Sequence, residues 1–148
     1  METLAFRCDI EYSVPNKPLN FRIELDGNVI YETDGTEETV VNVLHNFVED
    51  NDDHILNFYL SGKKDHHTVL DSDGTVVESA QVILSNIKFD EINLTEMLLS
   101  NDGLMTYTHD HNGGTAEITQ VFDPLMGFNG VATLKFKTPI YLWLLEYM

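Results

Sequence analysis

One cysteine in 148 residues, Cys8, excludes an intrachain disulfide and any zinc site built on cysteine thiolates. It lies in AFRCDIEYS, where alternation sets Phe6, Cys8 and Ile10 on one face, so a buried, inert thiol is expected. Basic residues are scarce: eight Lys and Arg face 25 Asp and Glu, for a formal net charge of −17, and between Arg22 and Lys63 there is no Lys or Arg at all. Such a chain repels phosphate backbones and anionic lipid, which excludes nucleic acid and membranes as partners. It leaves neutral sugars, divalent cations and basic protein surfaces open. No apolar run approaches the length of a membrane span, and METLAFRCDIEY has neither a basic leader region nor an apolar stretch, so no signal peptide is expected. The expectation is a soluble protein made in a reducing cytoplasm, in which the sequon Asn93-Leu94-Thr95 has no consequence. Neither a Ser-His-Asp arrangement nor a phosphate-cradling glycine loop can be found, so no enzyme is expected.

What the sequence does have is a period of two. Ile55, Asn57, Tyr59 and Ser61 alternate against Leu56, Phe58 and Leu60; Val82, Leu84, Asn86 and Lys88 alternate against Ile83, Ile87 and Phe89. Leu4 to Tyr12 reads the same way, and Asp26-Gly27 between two alternating runs is a strong hairpin signal, because a type I′ turn needs positive φ at both central residues. Further strands are predicted at Thr39 to Leu44, Leu104 to His109, Ala116 to Phe122 and Val131 to Lys137, with a turn at Asp71 to Gly74 and a helical turn capped by Thr95. Pro139 permits either strand or helix for the last segment, PIYLWLLEYM. With 43% hydrophobic residues and no linker, the chain is predicted to form one domain over 1–148: an all-β, antiparallel, jelly-roll-like sandwich with at most one short helix.

Three groups of residues offer chemistry. Asp71-Ser72-Asp73-Gly74 resembles the first half of a calcium loop, and Asp110 and His109 from a neighbouring loop would complete a weak site; the position for a bidentate Glu holds Val82, and a solvated hairpin turn is the alternative. His109-x-His111, five residues after Gly103, matches the opening of the cupin metal motif, although the next acid, Glu117, is displaced and no second half follows. If the last segment is a strand, Tyr141, Trp143 and Tyr147 form an aromatic row able to stack on sugar rings. That row could equally face the second sheet or another copy in a homo-oligomer.

LSGKKDHHT, VILSNIKFDEINL, YTHDHNG, MGFNG and TPIYLWLLE together resemble small, largely uncharacterised proteins of marine T4-like bacteriophages, many from cyanobacterial hosts. The phrasing of the strands and turns is also similar to that of calcium-dependent carbohydrate-binding jelly-roll modules. The first resemblance implies synthesis in a host cytoplasm with the virion as a destination. The second implies calcium as cofactor; His67 and Asn112, in segments that carry the first resemblance, are candidate ligand residues beside the aromatic row. The expected function is a non-catalytic binding or virion-associated module for a carbohydrate or protein surface; the alternative is a cupin-like metal-dependent enzyme using His109 and His111.

Overall fold

In the computed structural model, residues 2–14, 19–35, 38–47, 53–63, 68–101, 104–109, 118–121, 125–127 and 129–147 are described. Alternation becomes architecture at once in the longest strand, β1 (Glu2–Tyr12): Leu4, Phe6, Cys8, Ile10 and Tyr12 are all buried, and the residues between them turn outward. β1 lies in a first sheet between β4 (Thr39–Phe47) and β8 (Val82–Phe89), and the two-residue strands β9 (Ile92–Asn93) and β12 (Leu125–Met126) also pair with β8. The second sheet runs β11 (Ile118–Val121), β10 (Met105–His109), β13 (Gly130–Lys137), β5 (Asp53–Ser61), β2 (Leu19–Leu25), β3 (Asn28–Gly35), all antiparallel. A separate ribbon pairs β6 (Thr68–Leu70) with β7 (Val76–Ser79).

The chain passes repeatedly from one sheet to the other, so the faces of both become a single core. That core is aromatic. Phe6 of the first sheet meets Phe58 of the second at 6.2 Å between ring centroids, and Phe89 meets Phe136 at 5.0 Å, nearly edge to face. The fold is the expected all-β sandwich, with two short helices among the described residues instead of at most one.

Three local features depart from simple alternation. Opposite Arg7 to Asp9, β8 carries an extra residue where Asn86 takes positive φ (48°), a conformation that asparagine tolerates better than most. This bulge brings Val82, Leu84, Ile87 and Phe89 all to the buried side, whereas the strict period of two divides them between opposite faces. Thr95 does not cap the first helix, α1 (Thr95–Ser100): the Thr95 N–H donates to Asn93 Oδ1, and Thr95 Oγ1 is buried without a hydrogen-bond partner among the described residues. The last segment is helix, α2 (Ile140–Tyr147), entered from a cis Thr138–Pro139 bond, with the Trp143 N–H donating to the Pro139 carbonyl. Proline at the helix start removes no needed donor, and the leucine-rich run after Ile140 has no further β-branched residue to oppose helix.

Candidate functional site on the outer face of the six-stranded sheet

Register decides what this sheet shows to solvent. The pairs Glu32–Arg22, Arg22–Tyr59, Tyr59–Val131, Val131–Thr108 and Thr108–Thr119 align one transverse row across all six strands. A second row runs Glu24–Asn57–Thr133–Thr106–Val121, and on the other side Asn20 sits between Asp34 and Ser61. Because side chains of paired residues share a face, these rows form one surface in which amides, hydroxyls and a single tyrosine lie among two valines and charged groups of both signs.

The surface is wired laterally. Arg22 sets its guanidinium 4.6 Å from the centre of the Tyr59 ring, and its Nε lies 2.7 Å from Glu24 Oε2 as a charge contact without hydrogen-bond alignment. Thr133 Oγ1 donates to Asn57 Oδ1 (2.8 Å), Ser61 Oγ donates to Asn20 Oδ1 (3.1 Å), Asn20 Nδ2 donates to Asp34 Oδ1 (3.0 Å), and the hydroxyls of Thr108 and Thr119 share a 2.9 Å bond. These bonds limit rotamer freedom before any ligand arrives, which lowers the entropy lost on binding. Arg22, Lys135 and Lys137 face Glu24, Glu32, Asp34 and Asp53 on these strands, so three cations meet four carboxylates and the face is close to neutral on a chain of net charge −17.

A depression of about 430 Å³ opens at one end, between Arg22, Tyr59, Ser61, Thr108 and Asn129. Its floor is braced from below. Lys63, almost fully buried, donates from Nζ to the Gly127 carbonyl (2.7 Å), and Asn129 exchanges two hydrogen bonds with the Lys63 backbone. Burial holds the Lys63 ammonium below its usual range of about 10.5. Gly130 sits directly opposite His109, and a Cβ there would stand 2.3 Å from the Thr108 carbonyl oxygen, so only glycine lets β10 and β13 close the floor.

The residues singled out in the sequence are dispersed. His109 is 2% exposed, on the inner surface of β10, with Nε2 3.2 Å from Gln120 Oε1 and its ring beside that of Tyr107. A metal at Nε2 would have to displace that contact. Asp71 uses Oδ1 to accept from the Asp73 and Thr75 N–H groups, so one carboxylate oxygen closes the exposed turn between β6 and β7. Among the described residues no group of three or more His, Cys, Asp or Glu is placed to hold a metal. His67, Asp110, His111, Asn112 and Glu117 lie outside the described residues.

The aromatic row is corrected outright. A strand would align Tyr141, Trp143 and Tyr147, but the helix turns Tyr141 outward, 61% exposed, while Trp143 is 3% exposed against Phe89, Phe136 and Tyr147. Trp143 and Tyr147 instead line a second cleft of about 390 Å³ with Ile55, Lys135 and Lys137.

No protein-family model matches the chain, and no curated protein or solved structure matches it either. Tyr59 and Arg22, which carry the candidate site, stood within strands that alternation placed correctly. Their pairing is a matter of register between β2 and β5, and nothing local in either strand announces it.

Proposed function

We propose that the protein is a non-catalytic binding module that takes a neutral carbohydrate across the outer face of the six-stranded sheet. The observation that carries this reading is the transverse row from Arg22 over Tyr59 to Thr108, flanked by Asn20, Asn57, Ser61 and Thr133. Each sugar hydroxyl is both donor and acceptor. A guanidinium beside a carboxylate, with amides and hydroxyls around it, meets vicinal hydroxyls with both kinds of group. The Tyr59 ring supplies an apolar surface for the C–H side of a pyranose, and the near neutrality of the face avoids desolvating a dense anionic patch. On a virion such a face would meet host-surface glycans, a setting supported by the resemblance to phage proteins.

The test is a glycan array followed by calorimetry on the best ligand, for the wild type and Tyr59→Ala. Retention of a neutral glycan that is lost in Tyr59→Ala, with folding stability changed by less than about 1 kcal/mol, supports the reading. No retained neutral glycan, or retention indifferent to Tyr59→Ala, sinks it. Calcium enters the same measurement as a variable: a specific site at Asp71 and Asp73 requires calcium, but not magnesium, to raise the melting temperature, and Asp71→Ala with Asp73→Ala to remove that rise.

A further inference from the structure

Sheet edges expose backbone donors and acceptors, and proteins ordinarily guard them with charge, proline, bulges or short length. The six-stranded sheet follows that rule at both ends: β3 carries Glu32, Asp34 and a register shift, and β11 has only four residues. The first sheet follows it at one end, where β9 and β12 are two residues each. It does not at the other. β4 spans nine residues, TVVNVLHNF, with no Lys, Arg, Asp, Glu, Pro or Gly, and among the described residues its one ladder partner is β1. Its outer face presents Val40 at 46% and Leu44 at 76% exposure. High β-propensity, zero charge and an open side are the attributes of a strand built to be paired.

Charge selects the partner. The strand is bracketed by acids in sequence, Glu37 and Glu38 before it and Glu49, Asp50 and Asp52 after it. A second copy would set two chains of net charge −17 against each other, with an exposed Glu38 directly before each paired strand. We propose that β4 is a docking edge for an extended segment of another protein, uncharged and β-branched in its middle and flanked by lysine or arginine. Backbone hydrogen bonds along β4 supply affinity, and the chain's large negative charge speeds encounter with a cationic segment.

Three synthetic peptides test this against the whole chain: KKTVTVTVKK, its glutamate-flanked counterpart EETVTVTVEE, and KKGPGSGPKK, which keeps the charge but cannot form a strand. The first is expected to bind, to weaken as salt rises, and to protect from hydrogen exchange those amides between Val40 and His45 that point away from β1. Val40→Lys with Leu44→Lys, both at exposed positions, is expected to retain the wild-type melting temperature and weaken binding roughly tenfold by placing like charge on the edge. Failure of KKTVTVTVKK to bind, or equal binding by either control peptide, overturns the proposal. So does protection of β4 that grows with protein concentration in the absence of peptide, which would make the edge a seam between copies.

Discussion

The two surfaces of the six-stranded sheet use the same residue types to opposite ends. On the inner surface aromatic rings meet one another: Phe136 touches Phe47, Phe89 and Trp143, and the one polar neighbour in that group, buried His54, is bonded at both nitrogens, to Asp26 and Thr138. On the outer surface Tyr59 meets Arg22 and a field of amides and hydroxyls that bond one another and still reach water. An aromatic side chain therefore signals function here only when its neighbours are polar and only partly covered. Among rings it signals core.

Trp143→Ala breaks the comparison most forcefully. Removing an indole packed among Phe89, Phe136 and Tyr147 should cost about 3–5 kcal/mol, read from chemical denaturation. Tyr59→Ala should cost under about 1 kcal/mol. Equal losses from the two would show that the outer tyrosine is as structural as the inner tryptophan.

Asp26→Ala comes next. Its carboxylate accepts from the Ile55 N–H through Oδ1 and holds His54 Nδ1 at 2.7 Å through Oδ2, and its own N–H donates to the Ile55 carbonyl. Alanine would strand the buried imidazole at one nitrogen and occupy positive φ (50°) without the tolerance of Asp, for a loss of roughly 2–3 kcal/mol. Asp71→Ala, in the exposed turn, should fall within about 1 kcal/mol on the same denaturation curve. The two turns look alike in sequence, and only Asp26 reaches into the core.

That contrast measures how far the sequence could be read. Asp26-Gly27 was legible because glycine and positive φ are a local matter, and so was the burial alternation of β1, β2 and β5. The turn at Asp90-Glu91 also has positive φ at both residues, 51° and 70°, without a glycine to announce it. It is held by tertiary contacts, since Asp90 donates its N–H to the Ala5 carbonyl and accepts the Ala5 N–H through Oδ1. The bulge at Asn86 and the helical end of the chain were hidden for a related reason. A bulge is fixed by the partner strand, and an eight-residue apolar segment fits strand or helix until its neighbours decide. The candidate site was the least legible part, because its row of side chains crosses six strands and exists only through their registers.

Alkaline pH sharpens the comparison, because burial raises the titration of two groups in the core. Burial, reinforced by Asp9, pushes the Cys8 thiol from 9.0 up to about 12; burial, with Tyr31 and Asp34, pushes the Tyr12 phenol from 10.0 to about 12. Both groups keep their protons longer in the fold than in the unfolded chain. Their stabilising contribution is complete below pH 9 for Cys8 and below pH 10 for Tyr12, and is lost as pH rises through 12. Each should steepen the decline by up to about 1.4 kcal/mol per pH unit within its window. Lys63, with its lowered value, acts in the opposite direction by favouring the fold as the unfolded chain deprotonates more slowly. Melting curves from pH 8 upward should show a net decline that is shallower in Cys8→Ala; an unchanged slope would mean that the thiol is not shielded in solution.

The smallest effect is expected at Tyr12→Phe. The ring is buried at the end of β1, and its hydroxyl oxygen is shielded from solvent without a hydrogen-bond partner among the described residues. Folding takes that hydroxyl from water without replacing the bonds it made there, which costs free energy. Phenylalanine keeps the ring and its packing and removes the unmet group, so the variant should match the wild type or gain up to about 1 kcal/mol, and it should also lose the alkaline contribution assigned to this phenol. A loss of more than about 1 kcal/mol on denaturation would show that the hydroxyl has a partner in solution, such as a bound water. The inner surface would then tolerate a polar group by the same means as the outer one, by satisfying it.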